Sequence, residues 1–307
     1  MKLLDSPGGK NVHFFWKPDL KPVISVNDGE IFSVAVPDSS MGNIGPDSTL
    51  KEIKSMDLQN FDGAVGPVKI EGAEPGDTLS VEILDISLSE YGWSAILDSI
   101  GLLRGRFRER LVHWRIGEEF CWSTDDFLKG VRIPRRPFPG VIGTAPSSGQ
   151  YGMIPPQYFG GNMDNPLLST GARLYLPVSV NGAMLSFGDM HAAQGYGEVC
   201  GTAIETSGTM TVRVKLLKKE MIDFPRAMAP SYNVPESTVT MGISPDLKDA
   251  CIIALKEMMD DLRRTEGLTE EECYVLCSVA GNLYISEVVD EPNYVVSITI
   301  PKNIFVH

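Results

Sequence analysis

Glycine and proline recur between short apolar segments along most of the chain, and this spacing constrains the fold more than any other feature. The 307 residues include 30 glycines and 21 prolines. Apolar runs at residues 31–36 and 79–83 have the length of strands, and turn sequences at residues 27–29 and 74–77 precede them. A fold of alternating βαβ units needs a helix between successive strands, so the pattern excludes a Rossmann arrangement. It predicts a mainly β fold.

Two helices are expected in the C-terminal third of the chain. Residues 245–264 place apolar side chains at helical spacing on one face, with Ser244 as the N-cap and Pro245 at the first helical position. A second helix is expected to begin after Thr269, where a capping-box sequence stands, and to stop before Gly281. The sequence therefore predicts an α+β arrangement that is weighted towards β.

Strands are predicted again at residues 283–289 and 294–300, so helices and strands are segregated along the chain. Neither an internal repeat nor a flexible polar linker divides the sequence. We therefore expect one compact unit over residues 1–307, with two closely packed halves, about residues 1–150 and 151–307, as the alternative.

The composition excludes some partners. The chain carries 40 acidic against 27 basic residues, a formal net charge of -13. Such a charge repels phosphate backbones and anionic lipids, so neither nucleic acid nor a membrane is expected as a partner, and a neutral small molecule suits the field better than an anion. No apolar run approaches the roughly 20 residues that span a bilayer. The five cysteines lack zinc-finger spacing and are typical of reduced thiols, which predicts a cytoplasmic protein.

The densest chemistry lies in residues 186–198, which contain Asp189, His191 and Glu198 among several glycines. Asp189 and His191 are two residues apart, so on an extended backbone both side chains lie on one face, where they can share a metal ion or a proton. The chain can also bring the side chain of Glu198 close to Asp189 and His191. The alternative is a hydrogen-bonded Asp–His pair that only stiffens a loop, and the spacing alone does not decide between these interpretations.

A second polar cluster lies in residues 141–164, a stretch rich in glycine and proline. We expect it to form a packed loop at the site rather than a linker, because its apolar residues need burial. Asn162 and Asp164 again share one face of an extended backbone, and Asp164 can supply another carboxylate. Taken alone, this short string fits an Asx-turn or an N-cap better than a ligand site.

Cys200 follows Glu198 by two residues and offers an alternative chemistry, a thiol nucleophile beside a carboxylate. Buried free cysteines are common, so the simpler expectation is a structural cysteine on a strand. A nucleophilic serine is not supported, because the Gly-x-Ser-x-Gly sequence of the nucleophile elbow is absent.

Three segments, residues 66–77, 160–164 and 188–195, resemble the acetamidase/formamidase family and occur in the same order. The similarity runs from His13 to residues 300–305 and so covers nearly the whole chain. The resemblance implies a β-sandwich or barrel architecture with a few helices in the C-terminal third. It also implies a metal-dependent amidase, usually a homo-oligomer, that releases ammonia from formamide, acetamide or a similar amide.

The resemblance also marks individual positions of this sequence. The matching residues are His13, Asp38, Asp164, Asp189, His191 and Glu198. Among them, Asp164, Asp189 and His191 are expected to bind a divalent metal, with zinc as the first expectation and calcium as the second. Glu198 is expected to act as the general base for a metal-activated water.

Five further residues complete the predicted site. Asp38 and His13 are expected to be additional catalytic residues, because they match the family pattern. Asn162, Gly161 and Gly143 are expected to bind the substrate, the glycines by backbone amides that stabilise an oxyanion.

Two features of the sequence bear on the substrate. Family members often carry a glutamate three residues before the Asp38 position, where this chain has Ala35. Four arginines between Arg104 and Arg110 would share one face of a strand and could bind a substrate carboxylate, although a solvated basic strand is the simpler expectation.

We expect a small neutral amide as substrate. The rival hypotheses are an amidase with Cys200 as nucleophile and a non-catalytic, metal-stabilised binding protein on the same scaffold.

Overall fold

The computed structural model describes residues 2–5, 10–231 and 234–306 of the chain. Its strands are β1 (Lys2–Leu4), β2 (Val12–His13), β3 (Ile24–Val26), β4 (Ile31–Val36), β5 (Ala64–Ile70), β6 (Thr78–Ile96), β7 (Arg110–Ile116), β8 (Phe120–Ser123), β9 (Ile133–Pro134), β10 (Phe138–Gly143), β11 (Gly160–Asn162), β12 (Arg173–Pro177), β13 (Leu185–Ala193), β14 (Ile204–Leu217), β15 (Arg226–Ser231), β16 (Val234–Ser244), β17 (Asn282–Glu287) and β18 (Tyr294–Pro301). Its helices are α1 (Leu50–Ser55), α2 (Leu247–Glu266) and α3 (Glu270–Ala280), with short 3-10 turns at Leu58–Asn60 and Lys302–Ile304.

The strands of the described chain join in one network of pairs, an 18-stranded sheet. Its longest members, β6 and β14, run antiparallel to each other along most of their length. β14 also pairs with β4, and β6 also pairs with β12 and β7. Two of the pairs, β1–β4 and β3–β5, are parallel. The prediction of a mainly β fold with helices mostly near the C-terminus is therefore confirmed; the short helix α1 is an addition.

Pairs between early and late strands connect the two halves of the sequence. β5 pairs with β13, and β6 pairs with both β12 and β14. Alternating apolar side chains from these strands, such as Val68, Ile83, Phe187 and Val212, are buried in one core. These pairings support one unit over residues 1–307, which remains our proposal for the domain organisation.

The two long helices lie side by side; α2 contacts β16 and β18, and α3 contacts β18. The predicted N-cap Ser244 and first helical residue Pro245 are wrong by two positions. Ser244 ends β16, and Asp246 caps α2 by accepting a hydrogen bond at 2.9 Å from the backbone N–H three residues on. A carboxylate is a strong acceptor and is stabilised by the positive end of the helix dipole. α3 begins after Thr269 and ends before Gly281, as predicted.

The predicted arginine strand is wrong. Residues 101–107 form turns and bends, and only Arg110 enters a strand, as the first residue of β7. Gly105, with a φ of 66°, interrupts the extended backbone that the alternating pattern requires. Arg104 pairs on the surface with Glu291, at 2.9 Å.

The predicted loop at residues 141–164 is largely buried, as expected, and it contains β11 and the end of β10. In the described chain, none of the helices has both the length and the apolar composition that crossing a membrane requires.

β16 passes so close to α2 that its Gly242 has no room for a side chain. A Cβ there would lie 2.0 Å from the carbonyl oxygen of Ala250 and 2.6 Å from the amide nitrogen of Ala254. We expect Gly242→Ala to lower the free energy of unfolding by about 1–3 kcal/mol, the usual cost of overpacking. Gly45→Ala is the control, because no heavy atom lies within 4 Å of its added Cβ. Chemical denaturation measures both variants, and equal midpoints would contradict the prediction.

Candidate active site

Strand β13 forms the centre of the polar site. All nine of its residues are buried, and it pairs with β5, β10 and β14. Asp189 and His191 lie two residues apart on it, and Nε2 of His191 is 2.9 Å from Oδ2 of Asp189. The expectation that the two side chains meet is therefore confirmed. Glu205 lies directly opposite His191 on β14, and its Oε2 is 3.4 Å from the same ring nitrogen.

A small cavity of about 90 Å³ opens beside this strand. Six carboxyl groups line it: Asp62, Asp164, Asp189, Glu198, Glu205 and Asp290. They come from segments that are far apart in the sequence, from the loop before β5 to the turn between β17 and β18. Within the described part of the chain, no lysine or arginine lines the cavity. The site is therefore rich in acidic groups and has little room.

The rest of the cavity wall is mostly apolar. Its apolar members are Ile53, Phe61, Trp93, Leu97, Ile100, Ile154 and Val289. Trp93 is held by a hydrogen bond that its indole N–H donates to Oδ2 of Asp38, at 2.9 Å. An apolar wall excludes water and strengthens the electrostatic interactions of the acids that face it.

Four of the acids have an unusual backbone conformation. The φ angles of Asp62, Asp164, Asp189 and Glu198 are 55°, 41°, 51° and 47°. Residues with a Cβ rarely adopt this left-handed region, and such strain persists where the surrounding structure enforces it, commonly at functional sites. At each of these positions the chain turns away from regular geometry and the carboxyl group lines the cavity.

His191 is shared by two groups of residues that could hold a metal ion. One group is Asp164, His191 and Glu198, and the other is Asp189, His191 and Glu205. Within each group, the candidate ligand atoms lie within 4.8 Å of one another. Nδ1 of His191 is 3.6 Å from Oδ1 of Asp164, so the two ring nitrogens face different carboxylates.

Burial and neighbouring charges determine which side chains of the site are ionised. Burial raises the pKa of Asp62, Asp189 and Glu198 well above the ordinary value, and neighbouring carboxylates raise it further. Burial also opposes ionisation of Glu205, but the nearby His191 lowers the pKa of that glutamate to about 2. Burial alone would lower the pKa of His191, yet Asp189 and Glu205 raise it well above the ordinary value. These groups favour a charged His191–Glu205 pair among acids that resist ionisation.

Several observations fit a cation at this place. Oδ1 of Asp164, Oδ1 of Asp189 and both ring nitrogens of His191 are buried and have no aligned hydrogen-bond partner in the described chain. Gly140 lies against the same groups, since a Cβ there would be 2.4 Å from Oδ2 of Asp189 and 2.5 Å from Oδ1 of Asp164. Unpaired buried ligand atoms that converge next to a glycine have the donor chemistry of a site for a divalent metal.

Comparison with known proteins agrees with this geometry. The sequence profile of the Acetamidase/Formamidase family matches residues 5–151 and 149–307. The chain belongs to the acetamidase/formamidase family. It is an amidase of that family, an amide hydrolase.

Relatives in the acetamidase/formamidase family are similar over most of their length. A formamidase of Methylophilus methylotrophus is 27% identical over 96% of this chain and 89% of its own. An acetamidase of Mycolicibacterium smegmatis is 28% identical over 86% of this chain and 84% of its own. The crystal structure of an acetamidase from Bacillus halodurans superposes with a TM-score of 0.89, at 30% identity, over 99% of this chain and 98% of that one. The fold is therefore that of acetamidases.

The structure brings together four of the six positions that match the family, Asp164, Asp189, His191 and Glu198. Asp38 is adjacent to the cavity but is fully bonded to the protein. Its carboxylate accepts hydrogen bonds from Trp93 at 2.9 Å, and from the Ser40 hydroxyl and the Gly42 N–H, each at 2.8 Å. In this geometry Asp38 positions Trp93.

His13 lies apart from the acids. Its Nε2 is 2.9 Å from the hydroxyl of Ser186, and its Nδ1 is 3.0 Å from the carbonyl oxygen of Phe15. Burial lowers the pKa of His13 to about 4, so the ring is neutral at physiological pH. His13 does not line the cavity, and its catalytic role stays a prediction.

The three predicted substrate-binding residues have different surroundings. Asn162 lines the cavity, and its Nδ2 donates to Oδ2 of Asp290 at 2.9 Å. Gly143 and Gly161 lie on the paired strands β10 and β11 and are not part of the lining. Of the backbone amides beside them, Thr144 N–H donates to a carbonyl at 3.1 Å and Gly160 N–H to another at 2.9 Å. Their role as oxyanion donors stays a prediction.

Sequence reasoning did not assign Glu205, Asp62 or Asp290 to the site. No local pattern marks them; Glu205, for example, stands in β14, where polar and apolar residues alternate. Glu287 fixes the backbone at Asp290. Its buried carboxylate accepts hydrogen bonds from the N–H groups of Val289, Asp290 and Val295 at 2.9–3.0 Å. Burial, opposed by these bonds, raises the pKa of Glu287 to about 8.

Two further expectations concern residues near the site. The expectation that Cys200 is buried on a strand is wrong: it is exposed in the turn between β13 and β14, and its thiol contacts the carbonyl oxygen of Thr202 at 3.3 Å. Gly201, the next residue, has a φ of 85°, which the extended backbone of a strand does not have. Ala35 lies on β4 opposite Thr209 and does not line the acidic cavity.

Gly140 gives a test of the converging ligand atoms. We expect Gly140→Ala to lower the bound divalent metal per chain by at least roughly tenfold, because the methyl group displaces the carboxylates of Asp164 and Asp189. Gly195→Ala is the matched control, since its added Cβ meets nothing within 4 Å. Elemental analysis of the folded variants measures the difference. Full metal content in Gly140→Ala would contradict the assignment.

Proposed function

We propose that this amidase hydrolyses a small, neutral, linear amide such as formamide or acetamide, and that it releases ammonia and a carboxylate. The observation that carries the proposal is a cavity lined by six carboxyl groups and an apolar wall, in which four of the acids also group with the buried His191. The formamidase and acetamidase named among its relatives support the same substrate class.

The size and charge of the cavity limit the substrate. Its volume of about 90 Å³ is well below the roughly 300–1,000 Å³ of sites for drug-sized ligands. An anionic amide would find no lysine or arginine in the described lining to pair with its charge, and the ionised Glu205 would repel it, which disfavours binding. The arginines at Arg104 and Arg106 border a different cavity, together with Glu291. A small neutral amide fits both limits.

The residues present fit a divalent metal. Asp189, His191 and Glu205 are the favoured ligands, because both carboxylates lie within 3.4 Å of one ring nitrogen; Asp164 faces the other nitrogen. A metal bound there would lower the pKa of a coordinated water and polarise the amide carbonyl. Zinc is the first candidate because of the histidine, and calcium the second because of the carboxylates.

Glu198 is the proposed general base. It is buried and lines the cavity, and burial raises its pKa above the ordinary value, which makes its carboxylate a stronger base. Asn162 and Asp290 form a hydrogen-bonded pair on the same wall. Both offer oxygen atoms that can accept hydrogen bonds from the N–H groups of the substrate amide and so orient the substrate.

Two broader properties complete the proposal. We expect a homo-oligomer, a dimer or larger, because α3 and β17 expose apolar side chains, Tyr274, Val275, Val279 and Leu283. We expect a cytoplasmic location, because all five cysteines are free thiols.

Removal of His191 is the central test. We expect His191→Ala to reduce both metal content and ammonia release by more than roughly 100-fold, the upper limit of losses seen when only a residue supporting a ligand is removed. His113→Ala is the control, because His113 bonds to Tyr91 outside the cavity. Ammonia release from formamide and acetamide is measured with and without a chelator. Full metal content in His191→Ala would exclude His191 as a ligand, and no ammonia from any amide would favour the binding-protein hypothesis.

The thiol of Cys200 is expected to be dispensable. It is exposed and absent from the cavity lining, although its neighbours Gly201 and Thr202 are part of that lining. We expect Cys200→Ser to keep most of kcat. A loss on the order of 10³-fold in a folded variant, about 4 kcal/mol of barrier, would instead support a covalent route through the thiol.

A further inference from the structure

A second cavity lies at the opposite end of the two longest strands. Thr78 and Leu217, which pair at one end of β6 and β14, line it, whereas Trp93 and Glu205, which pair at the other end, line the acidic cavity. It has a volume of about 660 Å³, within the roughly 300–1,000 Å³ typical of small-molecule sites. Nothing in the proposed amidase chemistry uses it.

Four cationic side chains line this second cavity, which we call the basic groove: Lys219, Arg226, Arg264 and Lys302. Two carboxylates, Glu220 and Asp261, lie among them. The lining therefore has an excess of positive charge on a chain whose formal net charge is -13. Such a local reversal of sign attracts an anion to this place on a surface that otherwise repels it.

Asp261 holds two of the cations in a fixed arrangement. Its Oδ1 accepts hydrogen bonds from Arg226 at 2.9 Å and from Arg264 at 2.7 Å, and only 8% of its side chain is exposed. Each guanidinium has five N–H donors, so one bond to a shared oxygen leaves most of them for other acceptors. Nε of Arg226 is buried and has no partner in the described chain. Two guanidinium groups positioned by one carboxylate form a preorganised site for a planar anion.

The remaining wall of the groove is apolar. Leu217, Met221, Ile222 and Met228 contribute to it, and Met221 is 72% exposed. An exposed methionine beside a groove provides a flexible apolar surface that adapts to a ligand. We propose that the basic groove binds a small amphiphilic anion, a carboxylate with a short apolar tail, with the carboxylate on Arg226 and Arg264 and the tail on the methionine side.

Calorimetric titration of the whole protein tests this with three probes: octanoate, octanol and inorganic phosphate. We expect saturable binding of octanoate, with a Kd at least roughly tenfold lower than for octanol or phosphate, because only octanoate uses both walls. Equal affinity for phosphate or octanol, or no saturable binding of octanoate, would overturn the proposal. The measurement does not depend on amide hydrolysis, so its failure leaves the proposed function unaffected.

Two neighbouring arginines provide a matched pair of variants. We expect Arg264→Gln to raise the Kd for octanoate roughly tenfold or more, since it removes a charged hydrogen-bond donor. Arg263→Gln removes the same charge one residue away, from a side chain that pairs with Asp260 outside the groove, and should change the Kd less than about twofold. Arg264 is 60% exposed, so the variant should fold, and thermal unfolding checks this. An equal effect of both variants would show general charge attraction and overturn the site.

Discussion

The burial of carboxyl groups around a single imidazole is the energetic constraint that the rest of the structure must satisfy. Buried charge is costly unless it is paired, and one His191 can neutralise only one neighbour. Burial and mutual repulsion accordingly raise the pKa of Asp62, Asp189 and Glu198, while Glu205 alone stays readily ionised. A protein keeps such an arrangement only if the remaining fold supplies its stability, and here that is the large core between the strands.

The sheet also explains how distant residues meet. His191 and Glu205 are cross-strand partners on β13 and β14, and β14 in turn pairs with β6, which carries Trp93 to the cavity wall. Regular strands alone cannot aim several acids at one point, because alternate side chains point to opposite faces. The left-handed φ angles at Asp62 and Asp189 redirect the chain locally, and the paired strands around them enforce the strained geometry.

The sequence predicts the local features of this structure better than its long-range contacts. The strands and the capping box at Thr269 follow from short-range patterns, which the sequence displays directly. The meeting of Asp189 with His191 is expected from their spacing, although Asp189 itself has a left-handed φ of 51°. Glu205 and Asp290 become site residues through long-range pairing, which no local pattern encodes. The arginine segment shows the opposite error: alternation predicted a strand, but Gly105 and its neighbours turn the chain, so backbone conformation overrode the side-chain pattern.

The acidic lining has a consequence for turnover under the proposed function. Amide hydrolysis converts a neutral substrate into a carboxylate, and that charge forms inside a cavity lined by six carboxyl groups. The product then shares the cavity with Glu205, the lining acid that stays readily ionised, and repulsion between the two carboxylates opposes its retention. Binding of substrate and release of product then depend on the same charges. The basic groove, at the far end of β6 and β14, separates the attraction of anions from the place where the carboxylate is made.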